Sequence, residues 1–349
     1  MSRIVWISGG VVAVCPSEGS DVEVTMGFMG KPITKIALED HGKLFLTLRT
    51  IGFSIIGATF IRHIDEIRLL RPAKFYAAAP DGSWRIDNVE EKWREIAFAA
   101  QETQRFDVMT VAARLMSGFF YSGLRLHDLA EAYAIQLRGV GRWSAIKECQ
   151  EYQDYSDLNS PRVYKTIHAL FWEMAVLRDT LAEFAAKFCF SIRDVTTLSS
   201  LAKVLRKSSN DDELSKIFIA MTSPKGWAQF FTEYRNFFTH VTPLHEMDDA
   251  DFAVQDMRRL ASGLEIPQIY YPLPQDIQEA RREYLGRFAD PAREGLRKAE
   301  FRQRERSKEP DALEYLHRCL DDFARLAELL IKRSPIAPKR FCLGDLNTP

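Results

Sequence analysis

The apolar positions change period once along the chain. Over residues 1–88 they alternate or run in short β-branched blocks, which predicts strands. The blocks are Arg3–Cys15, broken by Gly9-Gly10; Val22–Met29; Lys43–Thr50 (KLFLTLRT); and Phe53–Ile61, with Gly52 and Gly57 as breakers. Lys74–Ile86 predicts a hairpin around Asp81-Gly82, and Ile64–Leu70 fits either a strand or a short helix. From Asn88 the period becomes helical, with acidic residues in the first turn as a helix start requires. Gly118 and Gly123 are expected to break this helix. A second helix is expected over Leu126–Leu137 and a weak one over Trp143–Tyr155.

The polar run 156–160 (SDLNS) marks the expected domain boundary. Beyond it, Val163, Ile167, Leu170, Met174, Leu177, Leu181, Phe184 and Phe188 alternate four and three apart, the seam of a long bundle helix. Thr196–Lys207, Asp211–Ala220, Ser223–Pro243 and Glu246–Leu264 complete an expected bundle of five helices. The prolines of Ile266–Pro274 exclude a continuous helix there and leave a docking strap or a plain linker. Asp276–Lys308 is dense in Arg interleaved with Glu, and Asp311–Lys332 is a final amphipathic helix. The expectation is a mainly α protein with an N-terminal β-rich region, α+β overall. It comprises a β-rich domain (1–88), a helical connector (89–158), a helical bundle (159–265) and a C-terminal helical extension (266–349).

Candidate chemistry concentrates in residues 223–243, SPKGWAQFFTEYRNFFTHVTP. Ser223 and Pro224 fit a capped helix start, and Pro243 a stop. Trp227, Phe230, Phe231, Tyr234, Phe237, Phe238 and Val241 form one apolar stripe. Arg235, Thr239, Asn236 and His240 fall on an arc of roughly 140° nearly opposite. The negative end of the helix dipole favours a protonated ring at His240. A cation beside an imidazole suits phosphate chemistry, although a polar helix face ending in a capping His needs no function. Arg and Asn followed by three residues and His is expected only ~0.03 times by chance in a chain of this composition.

At these residues the sequence resembles the HEPN superfamily, whose members are all-helical and include metal-independent ribonucleases with an R-x4–6-H motif, often with a polar residue after the Arg. Arg235, Asn236 and His240 match that motif in YRNFFTH, and the resemblance covers residues of about 160–265. It implies an RNA endonuclease, acting on RNA or tRNA as a toxin or phage-defence effector, with two copies meeting across a two-fold axis. It also implies an antitoxin or defence-system partner, for which the N-terminal domain is the docking candidate. Some relatives carry a Tyr two residues after the His as an AMP-acceptor. Thr242 stands there in this chain, so that mode of control is not implied.

In this reading His240 moves the proton, Arg235 binds and stabilises the phosphate, and Asn236 orients one of them. Thr239 on the same face, and Glu173, Arg178 and Asp179 on the preceding long helix, are candidates for supporting roles. Arg281, Arg282, Arg302 and Arg304 are candidates for tracking an RNA backbone, against the plainer reading of a salt-bridged solvated helix. The other class of function is a non-catalytic HEPN-like module for dimerisation or for nucleotide or partner binding. His127 beside Asp128 is expected at a solvated helix start, and His245 with Glu246 in a loop cap.

Composition narrows the field only modestly. With 349 residues, 46% of them apolar, there is room for two or three domains. A net charge of −1 gives no support for a generic nucleic-acid or anionic-membrane binder, so any RNA contact must be a local patch. Five cysteines at 15, 149, 189, 319 and 342, without CxxC spacing, imply reduced thiols and a cytoplasmic setting. No signal peptide, membrane span, metal ligand set or cofactor is expected. Gly9-Gly10 lacks the third glycine and following helix of a dinucleotide fingerprint.

Overall fold

A computed structural model describes residues 2–16, 20–38, 40–61, 74–143, 153–208, 212–241, 253–287 and 310–340. The fold is mixed α+β, mainly helical, with a β-rich N-terminal region. No helix among the described residues is long and apolar enough to cross a membrane. Two compact units emerge. Unit one gathers Met1–Ser83, Leu124–Leu170 and Glu233–Arg318; unit two gathers Trp84–Gly123, Phe171–Thr232 and Cys319–Pro349.

In unit one, β1 (Ser2–Ile7), β2 (Val11–Cys15), β3 (Val22–Met26), β4 (Pro32–Ile36), β5 (Ile55–Ile61) and β6 (Lys74–Ala77) form an antiparallel sheet in the order β4-β3-β2-β1-β5-β6. Successive side chains alternate between its faces. One face carries Ile4, Trp6, Thr59 and Phe75 and meets His127 of helix α3 (Phe106–Trp143). The Trp6 indole N–H donates to Thr59 Oγ1 at 2.8 Å, and the His127 ring lies edge-on to Trp6, with centroids 5.0 Å apart. Far from being a solvated helix start, His127 is mid-helix, and burial depresses its basicity against the pull of Glu131 and Asp128. Strand β7 (Gln153–Tyr155), β8 (Ala253–Arg259) and β9 (Glu265–Tyr270) make a second, three-stranded antiparallel sheet in the same unit.

A chain of buried and half-buried polar groups joins the elements of unit one. Asp311, just before the last helix, accepts from the Tyr133 hydroxyl at 2.8 Å, the Tyr271 N–H at 2.9 Å and the Glu314 N–H at 3.1 Å. Tyr271 donates its hydroxyl to Gln136, whose amide donates to Ser160 Oγ at 2.7 Å. Burial pushes the Asp311 carboxyl up to about 7, reinforced by the charge of Glu314 and opposed by the donors around it.

Unit two contains α2 (Arg85–Glu102), α5 (Leu198–Lys207) and α6 (Glu213–Met221), with residues from α3, from α4 (Ser160–Phe184), from α7 (Trp227–His240) and from the last helix, α9 (Ala312–Lys332). Aromatic rings fill its core: Trp93 packs edge-on against Phe184 at 4.7 Å, and Phe323 against Phe231 at 5.4 Å. Asp321, only 4% exposed, pairs with Arg85 and with Arg325 at 3.0 Å, so the buried carboxylate has two cations.

Several expectations require correction. KLFLTLRT is helix α1 (Leu44–Ile51), not a strand. Leu44 and Leu48, one turn apart, are fully buried, and Gly52 at φ 110° stops the helix in the left-handed conformation that glycine adopts without strain. The turn at Asp81-Gly82 exists, but α2 follows it in place of a second hairpin strand. Helix α3 runs unbroken through Gly118 and Gly123. A Cβ on Gly118 would sit 3.1 Å from Leu177 Cδ1, so the glycine serves a close helix contact. The chain turns instead at 103–105, between α2 and α3. Of the weak helix expected over 143–155, residues 153–155 are strand β7, and 144–152 lie outside the described residues, as do 64–70.

The run 156–160 falls inside unit one. Asp157 Oδ1 accepts from the N–H groups of Asn159 at 2.8 Å and Ser160 at 3.1 Å, so its polar residues start α4. Residues 253–270, expected to be mostly helix, form the β8–β9 hairpin, with Gly263 at φ 83° in its turn. The expected five-helix bundle thus shows four helices and a hairpin among the described residues. The strap after it is β9 followed by a bridge from Pro272 to Asp311.

A pH prediction follows from Asp311. With the folded carboxyl near 7 and an unfolded value near 3.8, the folded state holds the proton more tightly between those limits. Stability from this group is therefore full below about 4 and lost as pH rises toward about 7. Urea titrations across that range should show wild type losing ground to Asp311→Asn as pH rises; a pH-independent difference would contradict the assignment.

Candidate functional site

Helix α7 begins later than its sequence suggests. The Gly226 N–H bonds the Ser223 carbonyl at 2.8 Å, and the Phe230 N–H bonds the Gly226 carbonyl at 3.2 Å. Ser223 and Pro224 therefore form the turn before the helix, and Trp227 is its first residue. The aromatic stripe is buried apart from Phe230, which is 39% exposed, and Trp227, which is half-buried. Residues 227–232 belong to unit two, where Trp227 and Phe231 lie against Phe323 at 4.9 and 5.4 Å. Residues 233–240 belong to unit one. There Tyr234 packs edge-on against Tyr315 at 5.0 Å, and Phe238 packs against His168 at 5.9 Å. The Tyr234 hydroxyl donates to the buried Pro274 carbonyl at 2.6 Å. This anchor was invisible in the sequence, where Tyr234 counts only as one member of an apolar stripe.

The opposite face carries the candidate residues. Asn236 and His240 are exposed, and Arg235 and Thr239 half-buried. Five positions on a helix separate two residues by about 140° around the axis and ~7.5 Å along it. The long Arg235 side chain spans that gap. Its Nη1 donates to Asn236 Oδ1 at 3.0 Å and lies 3.4 Å from His240 Nε2. A guanidinium only donates, so Nε2 accepts, and the proton of a neutral ring sits on Nδ1. The 3.4 Å contact is long. An incoming phosphate oxygen offers Arg235 a stronger, charge-assisted partner than the imidazole does. The three residues of the motif are therefore together, on a partly exposed helix face.

The other candidates are placed differently. Arg178 grips Asp179 through two parallel bonds of 2.9 and 3.0 Å and donates to Thr232 Oγ1 at 2.9 Å, while Asp179 also accepts the Leu198 N–H at 3.1 Å. These bonds lie within unit two and tie α4, α5 and the start of α7 together. Glu173 is half-buried on the same helix. Arg281 and Arg282 are exposed on α8 (Ile277–Arg287) in unit one, and Arg282 Nε donates to the Gln278 carbonyl of its own helix at 3.3 Å. Arg302, Arg304, Thr242, His245 and Glu246 lie outside the described residues. Among the described residues no group of three His, Cys, Asp or Glu is placed to hold a metal ion; Cys15 and Cys319 are buried and Cys189 half-buried. Burial pushes the Cys189 thiol up to about 11, which keeps it protonated and unreactive.

Compared with protein-family models, with curated proteins and with solved structures, the chain matches none.

The two faces of α7 differ in what they hold, and stability measurements should separate them. Phe238→Ala removes a ring that is 4% exposed and should cost about 3–5 kcal/mol. Tyr234→Phe should cost about 1–2 kcal/mol by leaving the Pro274 carbonyl without its donor. Asn236→Ala, on the open face, should stay within about 0.5 kcal/mol. Equal losses for all three in chemical denaturation would contradict this division.

Proposed function

We propose that the protein is a metal-independent RNA endonuclease of HEPN type, with Arg235 and His240 as its working pair. The observation that carries this reading is the convergence of Arg235 Nη1, Asn236 Oδ1 and His240 Nε2 within 3.0 and 3.4 Å on the partly exposed face of a helix held by buried rings. Cleavage by the RNA's own 2′-hydroxyl requires that the 2′-oxygen lose a proton as it attacks phosphorus and that the departing 5′-oxygen gain one. The phosphorane between them carries extra negative charge. A guanidinium held beside the phosphate stabilises that charge, and the imidazole moves a proton. Asn236 holds the guanidinium toward the site.

The attacking and departing oxygens lie on opposite sides of phosphorus. One imidazole serves one side at a time, so a homodimer supplying two His240 rings to one cleft completes the reaction. In that reading the protein acts in the cytoplasm as a toxin or phage-defence effector on RNA or tRNA. A partner docked on the β-rich N-terminal region restrains it.

The test is cleavage of total RNA in the presence of a chelator. His240→Ala and Arg235→Ala should each lower the rate at least 100-fold, the scale of a lost acid–base or charge-stabilising group. Arg235→Lys should fall between, keeping the charge and losing the fork. Wild-type rates in His240→Ala would overturn the proposal, and wild-type protein inert on RNA would point to a binding module.

A further inference from the structure

The six-stranded sheet has a second feature that the α7 site does not use. The register places Arg3, Phe60 and Lys74 side by side across β1, β5 and β6, with Tyr76 two positions beyond Lys74 on the edge strand. These four side chains share the face opposite Trp6, Thr59 and Phe75, because side chains alternate along each strand. Arg3 lies 5.9 Å from the Phe60 ring centroid and Lys74 lies 4.4 Å from that of Tyr76. The two rings meet edge-to-face at 5.3 Å. Farther along the same face Val5 and Ala58 are fully buried, whereas Arg3, Phe60 and Tyr76 are half-buried and Lys74 is exposed. The row is therefore where this face of the sheet reaches solvent.

Charge is partitioned between the faces. The other charged residues of the six strands, Glu23 and Lys35, pair with each other's strands on the side of Ile4 and Val14. On the face of Phe60 the charged strand residues are Arg3 and Lys74, both cations. Among the described residues of these strands, two rings are thus flanked by two cations. Ring stacking recognises bases whatever their identity, and flanking cations follow the phosphate backbone. A duplex hides its base faces, so the surface selects unpaired nucleotides.

We propose that Arg3, Phe60, Lys74 and Tyr76 form a binding surface for single-stranded nucleic acid, with bases stacking on Phe60 and Tyr76 and phosphates held by Arg3 and Lys74. The surface stands independently of the chemistry at His240. The proposed nuclease activity bears only on the choice of RNA as the first probe.

The measurement is fluorescence anisotropy of the full-length His240→Ala protein with a labelled 12-nucleotide oligouridine, its deoxythymidine counterpart and a blunt RNA duplex, each over a series of salt concentrations. Phe60→Leu and Tyr76→Leu keep apolar bulk and lose the aromatic face, and circular dichroism melts confirm that they fold. The pair should weaken single-strand binding about 5- to 100-fold. Arg3→Gln with Lys74→Gln should lower the salt slope by about 1.4, two phosphate contacts on a single strand.

Equal binding of the two single strands would support a surface that ignores the sugar, and preference for oligouridine would support an RNA surface. Unchanged affinity in the folded leucine variants would overturn the proposal, as would a duplex binding as well as the single strands. Effective competition by polyglutamate, which points to an acidic protein partner, would also overturn it. These outcomes are separate from cleavage. Loss of binding with no wild-type nuclease activity would sink only the enzyme reading, and cleavage with unchanged binding in the variants would sink only this one.

Discussion

The direction in which Arg235 projects is set by its neighbour Tyr234, which is held in place on the buried side of the helix. Its ring is 4% exposed and set edge-on to Tyr315, and its hydroxyl is committed to the buried Pro274 carbonyl at 2.6 Å. Rotating α7 about its axis would strip that carbonyl of its donor and expose Phe237 and Phe238. Those losses are of order several kcal/mol. On the polar face Asn236 and His240 meet solvent. The helix orientation is thus set by what it buries, and the face of Arg235, Asn236 and His240 is what is left over. That arrangement suits a site that must be held still while its outer groups exchange partners.

The same logic extends through unit one. Asp311, Tyr133, Tyr271, Gln136 and Ser160 satisfy one another in a continuous, mostly buried chain that touches α3, α4, the end of β9 and the start of α9. A buried polar network of this kind is stabilising only when each member has its partner. It therefore fixes where those elements meet more sharply than apolar packing alone. Pro274, the acceptor for Tyr234, follows Tyr271 by three residues, so the network and the anchor of α7 share a short stretch of chain. In unit two the corresponding ties are the paired Arg178 and Asp179, which meet Thr232 and the backbone of Leu198.

Much of the helical part was legible from sequence. The a/d seam of α4, the amphipathic faces of α5 and α9 and the aromatic stripe of α7 depend on local periodicity, which tertiary structure here reinforces. The failures share a cause as well. KLFLTLRT satisfies both a strand and a helix period, and the choice was made by Gly52 and by the burial of Leu44 with Leu48. AVQDMRR has helix-like charges, yet pairs as β8, with Arg258 reaching Glu314 at 3.1 Å, 56 residues away. Glycines in α3 looked like breaks because the neighbour that needs Gly118, Leu177, is remote in sequence. At the site, the spacing of Arg235, Asn236 and His240 was readable, since it is a property of one helix. The acceptor of Tyr234 and the cross-strand row at Phe60 were not, because strand register and loop position are set by distant segments.

Under the proposed function, the Arg235–His240 pair cuts RNA through the substrate's own 2′-hydroxyl. Mass spectrometry of the product ends, after digestion with chelator present, reads that directly. Attack by the 2′-oxygen leaves a 2′,3′-cyclic phosphate on the upstream fragment, a 5′-hydroxyl on the downstream one, and no cut where the scissile nucleotide is 2′-deoxy. A 5′-phosphate on the downstream fragment, or cleavage of the deoxy-substituted substrate, would contradict it.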